Sequence, residues 1–533
     1  MKKILILLIL ICLLPLNRII AQETEYKSIN DEWTLNTNGT QVFHHVAVLH
    51  LKTVTDMRNF GEDFIIYNPE NQVLKVNYCY TIQEDGNRVD TPENGYVDVL
   101  PSNAQKAPAY NNLREKVIIH TGLDENCTVY LDYTLTSKPG YNTSLDICKP
   151  LRQKCPVKKY TLSVSAPSNI SLNYNVKGNR KTKFITSKSN GLTTASCTFN
   201  NLPAKIVSDY NSYTTDGEDY FIASTYSNQT EAFSRLSNHI IKDNNSQLKI
   251  LAKSLTSNSN NESQAIDALL KYVKEDTQTC KLNLLETNYQ VRNANDVIKS
   301  AYGTQIEKLN LLKGLINSFD SKFNAQICVS YLPNSKGITN LNGILNMFII
   351  ISDNGEQKIL SISSNPKMLS WNNQFLPAIS LKTLKEVKLN KCESLAQHFD
   401  VTPNIKECKE GILLVPLQYT SQERSIKSLC QKISSTKKDV LLTFPITNSK
   451  VEYTVNIPKE MKLISSTKTE TKSNKMGTVT TKITKQPHKV LINRTLKLSN
   501  HVQPIINQKD FSDFHDLMLE WISINQHTLI FSK

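Results

Sequence analysis

The sequence predicts a multidomain α+β protein: an N-terminal antiparallel β-sandwich, a central α+β domain and a smaller C-terminal β-sandwich. Three observations carry this. The chain has 533 residues, too many for one hydrophobic core. Apolar and polar residues alternate between polar turns up to about residue 220, and again from about residue 394. Between those stretches the period becomes helical and is followed by a short hairpin, the order of an α+β unit. The expected divisions are 1–21, 22–224, 225–390 and 391–533.

The first division reads as a secretory signal peptide. Lys2 and Lys3 precede an apolar run from Ile4 to Leu16, too short to span a bilayer, and cleavage is expected near Ala21. Cys12 is preceded by bulky Leu10 and Ile11, which disfavours lipid attachment. No later apolar run is long enough to cross a membrane. An exported protein of the periplasm or cell surface is therefore expected, without stable membrane insertion. The formal net charge of +14 falls to +11 without Lys2, Lys3 and Arg18. The excess is dispersed, densest over 462–489, and lacks the aromatic interleaving of a nucleic-acid surface. Nucleic acid is not an expected partner. Ten cysteines follow the leader, with no C-x-x-C among them, so neither a zinc ribbon nor a thioredoxin-like site is indicated. Cys148 and Cys155 flank a short basic, proline-containing segment and are the first expected disulfide pair.

In the first β region, Trp33, Leu35 and Thr37 alternate up to Asn38-Gly39, a hairpin turn, and the return strand runs through Val42 to His50. A second hairpin is expected at 84–87, and a third pair around Gly122 joining 117–120 to 127–135. His44 and His45 fall on opposite faces of a strand and cannot chelate together, and His50 lies too far along it. No metal site is expected, and no cofactor. Helices are expected over 229–242, 247–255, 262–277 and 293–300. A strand over 325–332 and a hairpin of 345–352 with 357–363 follow. The last region holds strands at 412–417, 440–445, 451–457, 478–482 and 489–498. A helix over 511–521 then carries Phe511, Phe514, Leu517, Met518 and Trp521 on one face.

One further helix, over 304–316, organises the middle. Thr304 and Glu307 make a T-x-x-E capping box. Ile306, Leu309, Leu312, Leu315 and Ile316 form an apolar face, and Gly303 precedes the cap. Gln305 thus stands on the first turn, where backbone N–H groups and the helix dipole would activate a thiol. A glutamine there has no acidic proton to lose.

The N-terminal region resembles the domain of unknown function that precedes transglutaminase-like domains in many bacterial secreted proteins. The stretches that carry this are Asp31-Glu32-Trp33-Thr34-Leu35, Ala107-Pro108-Ala109-Tyr110 and His120-Thr121-Gly122-Leu123. Tyr130-Leu131-Asp132-Tyr133 and Lys138-Pro139-Gly140-Tyr141 continue it. The middle resembles the transglutaminase-like core, a papain-like fold, and the last third resembles the β domain that commonly follows. The resemblance implies a Cys/His/Asp triad. Its G-x-C-x-x-K pattern reads Gly303-Thr304-Gln305-Ile306-Glu307-Lys308 here, so Gln305 stands at the cysteine position. Asn346 corresponds to the histidine and Ser361 to the aspartate. No histidine occurs between His239 and His398, so this domain has no imidazole of its own to take a proton from a thiol.

The expected function is that of a non-catalytic transglutaminase-like protein of the bacterial envelope, binding a protein, peptide or glycan. The alternative is a cysteine-dependent acyl transferase or peptide or isopeptide hydrolase, with Cys280 or Cys328 served by a histidine from another domain. Glycan processing by paired carboxylates is a third class, but the order of Asp and Glu residues reveals no such pair.

Overall fold

The structure is a computed structural model. It describes residues 24–177, 182–205, 219–240, 246–331, 340–353, 356–362, 378–389, 395–417, 442–443, 448–499, 505–506, 508–522 and 528–533. The expected leader and Cys392 and Cys430 lie outside the described residues. The architecture is a multidomain α+β one with β-sandwich regions.

The N-terminal region is built on an eight-stranded sheet. Its spatial order is Ile185–Ser189, Leu192–Leu202, Val157–Pro167, Glu25–Leu35, Gln41–His50, Thr128–Ser137, Gln72–Ile82 and Arg88–Asp90. One neighbouring pair, Glu25–Leu35 with Val157–Pro167, is parallel. Two three-stranded sheets pack on it. Phe221, Ala223 and Ile147 of one share a core with Ile29, Leu162 and Val164. Ile118 of the other meets Cys79 and Leu131.

The Asn38-Gly39 turn forms as expected, with Gly39 in the left-handed region at φ +83° and Asn36 N–H donating to Thr40 O at 2.8 Å. The turn at 84–87 closes through Gln83 and Asn87 at 2.9 Å. The third expected pair does not form. Arg114–Ile119 pairs with Glu62–Tyr67 and Tyr96–Val99, whereas Thr128–Ser137 joins the eight-stranded sheet. The segment around Gly122 therefore crosses between layers. Alternation marks a strand but not its partner. Cys148 and Cys155 are free thiols, which corrects the expected disulfide. Cys148 stands on the strand Asp146–Pro150, and Cys155 is buried against Leu49, Leu51 and Cys127.

In the middle region, helices Gln229–His239, Ser246–Leu255, Glu262–Lys271, Ala294–Ser300 and Gln305–Phe319 form. They precede a four-stranded sheet ordered Glu356–Leu360, Ile344–Asp353, Gln326–Tyr331, Ala378–Ser380. The helix Gln305–Phe319 is central. From Ile306 to Leu312 it is buried on every side, so Glu307, Lys308 and Asn310 are as covered as Leu309 and Leu312. A Cβ at Gly314 would meet Leu248 Cδ1 at 2.9 Å, so that glycine lets the helix Ser246–Leu255 approach closely. The left-handed residue at the turn before Thr304 is Ala301, at φ +56°, and not Gly303.

The C-terminal region pairs a five-stranded sheet with a three-stranded sheet of Ile412–Pro416, Thr528–Ser532 and Lys462–Leu463. The helix Gln508–Trp521 closes their core through Phe514, Leu517, Met518 and Trp521, all nearly fully buried. Arg494, buried beneath it, donates to Trp521 O at 2.7 Å and satisfies a carbonyl at the helix end. Among the described residues no helix is long and apolar enough to cross a membrane.

Candidate functional site: a groove at the entrance of the central helix

The helix entrance is held by a buried ionic cluster. Glu307 reaches back to Thr304 N at 2.8 Å, which is half of the expected capping box. Its two oxygens also take a fork from Arg292, Nε at 3.0 Å and Nη2 at 3.1 Å, and Arg292 N at 2.9 Å. A fourth donor, Tyr110 OH at 2.6 Å, comes from the N-terminal region. Burial opposes the charge of Glu307, but these hydrogen bonds and the guanidinium outweigh it and hold the carboxyl below its usual range. Around this cluster the segment 101–113 is clamped onto the central region. Ala109 N donates to Tyr302 OH at 2.8 Å, Cys280 Sγ donates to Asn103 O at 3.2 Å, and Leu113, Leu282 and Tyr302 share one apolar cluster. The Ala107–Tyr110 stretch is thus a brace for the helix that begins at Gln305.

One turn on, Lys308 is 1% exposed and donates to Thr277 O at 2.6 Å and Thr279 Oγ1 at 2.8 Å. Burial draws its ammonium down to about 8. Below that pH both folded and unfolded chains carry the proton. Between about 8 and the ordinary lysine value of about 10.4 only the unfolded chain holds it fully, so stability rises with pH across this window. Comparison of urea midpoints is expected to show a rise worth about 3 kcal/mol from pH 8 to 10.5 that is missing in Lys308→Met. A parallel pH response in the two proteins would exclude this role.

Gln305 lines a cavity of about 640 Å³ together with Thr279, Cys280, Leu345, Met347 and Ile362. Asn346 and Ser361 are not in this lining. The sheet explains the separation. Val329, Ile349 and Leu360 pack toward the central helix, while Cys328, Phe348 and Ile350 form a cluster on the other face. Asn346 pairs with Ser330 and donates to its Oγ at 3.1 Å, two residues from Phe348 and on its face. A register shift between Ser330 and Tyr331 puts Leu345 at the irregularity, and Ile344, Leu345 and Met347 are the residues of this strand that line the cavity. Ser361 is buried at 2%, between Leu360 and the cavity-lining Ile362. Of Gln305, Asn346 and Ser361, only Gln305 is in the lining of this cavity. Cys280 does border the cavity, but its thiol is spent on Asn103 O and burial pushes it up. Cys328 lies fully buried on the far face of the sheet, where burial pushes its thiol to about 12.

A second cavity, of about 340 Å³, opens beside the first and shares Cys148, Leu285 and Asn342 with it. Its walls bring Trp33, Phe43 and Tyr141 together with Gln41, Asn142 and Lys149. The junction is pinned by Asp146, whose carboxylate accepts from Leu341 N at 2.9 Å, Asn342 N at 3.2 Å and Tyr289 OH at 3.0 Å. The two cavities form one bent groove between the N-terminal and central regions. No histidine is among its described lining residues, and its carboxylates, Asp146 and Glu286, belong to the second cavity.

Sequence reasoning missed Asp146, Arg292 and the aromatic cavity. The T-x-x-E signal pointed to Glu307 only as a cap. Nothing local announced that Arg292 and Tyr110 would meet it. Among the described residues no cluster of three or more His, Cys, Asp or Glu side chains could hold a metal ion. His44 bonds Asp132 at 2.9 Å and His45 bonds Asp31 at 2.5 Å, on opposite faces of their strand.

Comparison with known proteins gives two domain families, both described as domains of unknown function with solved structures. DUF3857 matches residues 37–206, and DUF3858 matches residues 412–531. A crystal structure of a protein from Parabacteroides distasonis ATCC 8503, described as a "putative protease", is 29% identical. It matches with a TM-score of 0.82 over 96% of this chain and 99% of its own. An M1 zinc metallopeptidase from Deinococcus radiodurans is 12% identical over 38% of this chain and 42% of its own. Its TM-score of 0.19 is too low to carry an argument. A search of curated proteins finds no match. The two domain families and the P. distasonis structure fit a transglutaminase-like multidomain protein.

Proposed function

We propose that this protein is a non-catalytic member of the transglutaminase-like group that binds an extended peptide or glycan in the bent groove, outside the cytoplasm. The observation that supports the reading most is the chemistry of the helix entrance. An amide side chain stands at the first turn, with Leu345, Met347 and Ile362 facing it from the sheet. Acyl transfer by a thiol needs a nucleophile and an adjacent base. The groove beside Gln305 offers amides, hydroxyls and apolar walls, which suit recognition more than turnover. The degenerate positions are Gln305, Asn346 and Ser361, and Asn346 bonds across the sheet to Ser330. The description of the P. distasonis protein as a "putative protease" favours the alternative, a peptide hydrolase.

Two measurements separate these readings. A soluble muropeptide, which offers both peptide and glycan, is expected to bind the full chain, and Gln305→Arg, which fills the entrance, is expected to weaken binding about tenfold or more. No cleavage or transfer of the muropeptide should accompany binding. Gln305→Cys is expected to stay inactive, because no imidazole stands beside it. Turnover by the unmodified protein that iodoacetamide abolishes would overturn the proposal. So would activity gained by Gln305→Cys alone.

A further inference from the structure

Outside the groove, the N-terminal region assembles a thiol, an imidazole and a carboxylate. Cys79 Sγ lies 3.2 Å from His120 Nδ1, and His120 Nε2 lies 3.0 Å from Asp63 Oδ2. Thr91 Oγ1 donates to the same sulfur at 3.3 Å. The four residues come from both layers. Cys79 is on the eight-stranded sheet, Asp63 is on a strand of a three-stranded sheet, and His120 follows another strand of that sheet. Cys79 and His120 are 3% and 6% exposed, whereas the Asp63 side chain is 47% exposed. The chain of bonds therefore runs from a buried sulfur to solvent, and a proton can travel along it.

We propose that Cys79 is a peroxide-reactive thiol, with His120, Thr91 and Asp63 as its positioning residues. Thr91 donates to the sulfur, His120 Nδ1 lies within hydrogen-bonding reach of it, and that imidazole is itself anchored to a carboxylate. Burial would lower the His120 imidazole, but its hydrogen bonds to Asp63 and Cys79 push it up to about 9, which keeps it a donor at both nitrogens. Burial pushes Cys155, Cys197 and Cys328 to about 12.

In the reaction the Cys79 thiolate attacks one oxygen of hydrogen peroxide. The S–O bond forms as the O–O bond breaks, and sulfur loses two electrons to the peroxide. The departing hydroxide takes the Nδ1 proton of the His120 imidazolium and leaves as water. The products are Cys79 sulfenic acid, water and neutral His120, whose Nε2–H still faces Asp63 and whose Nδ1 takes its proton back from solvent when the site opens. Access is through the edge of the sheet. Arg88–Asp90 is the terminal strand and pairs with Gln72–Ile82 over only three residues. Such an edge opens locally at low cost and admits a molecule the size of water.

The test treats the folded full chain with hydrogen peroxide, traps sulfenic acid with dimedone and reads each cysteine by mass spectrometry. Cys79 is expected to label about tenfold or more faster than Cys155, Cys197 and Cys328. His120→Asn and Asp63→Asn are each expected to lower that rate severalfold, and Asp63→Glu to restore most of it. Asp63 is half exposed, so its variants should fold even if His120→Asn does not. Equal labelling of the four cysteines would overturn the inference, as would a Cys79 rate indifferent to Asp63→Asn.

Discussion

Replacing Glu307 by alanine is expected to destabilise the protein by about 3–5 kcal/mol, the usual cost of removing one partner from a buried ion pair. The carboxylate is fully covered, and the Arg292 side chain it pairs with is only 18% exposed. Its loss strands a guanidinium, a phenol and two backbone N–H groups at once. Glutamine is nearly the same shape, yet it removes the charge and offers a single acceptor oxygen, so Glu307→Gln should cost nearly as much. Tyr110→Phe deletes one hydrogen bond and should cost about 1–3 kcal/mol. The same variants should loosen the 101–113 segment, because Tyr110 ties it to the helix. Urea unfolding followed by tyrosine fluorescence, together with limited proteolysis of that segment, measures both effects. A loss below about 1 kcal/mol for Glu307→Ala would show that the cluster does not hold the helix entrance.

Acid should destabilise the fold in part through Asp31. This carboxylate is fully buried and faces Lys149 Nζ at 3.3 Å, His45 Nδ1 at 2.5 Å and Tyr160 OH at 2.6 Å. Burial alone would raise its pKa, but the Lys149 charge and the hydrogen bonds from His45 and Tyr160 bring it down to about 2. The folded value lies below the unfolded one, near 3.9. The stabilisation is therefore complete above about pH 4 and is lost as pH falls from about 4 to about 2, to the extent of about 2 kcal/mol. Asp31→Asn should remove that pH dependence and lower stability at neutral pH. Thermal unfolding from pH 6 to pH 2 tests this. If the wild type and Asp31→Asn lost stability in parallel across that range, Asp31 would not be the group responsible.

Asp31 and Glu307 also show what could be read along the chain. Asp31 sits on the strand Glu25–Leu35, whose far end the alternation of Trp33, Leu35 and Thr37 marks, and the capping pattern marks Glu307. Neither showed its partners. Arg292 lies 15 residues from Glu307, and Tyr110 lies 197 residues away. The apolar stripe of 306–316 predicted one covered face, and the structure covers 306–312 on every side, with Tyr110 and Arg292 closing over Glu307 and Thr277 and Thr279 over Lys308. The triad positions show the same limit. Gln305 was placed on the first turn by its cap, a local feature, and the structure sets it in the groove. Asn346 was assigned along a strand, where a one-residue register shift decides which face a side chain takes.

The sequence by itself determined the succession of a β region, a helical region with its hairpin and a second β region, the terminal helix with its buried stripe, the amide at the helix entrance and the lack of histidine from 240 to 397. Those are properties of single residues and of short periods. Tertiary structure alone decided which strands pair, which face Asn346 takes, how two cavities join into one groove, and that Cys79 and His120, 41 residues apart, come within hydrogen-bonding distance. The physical reason is that periodicity records whether a position is covered, whereas the identity of what covers it is settled by packing between segments far apart in the chain.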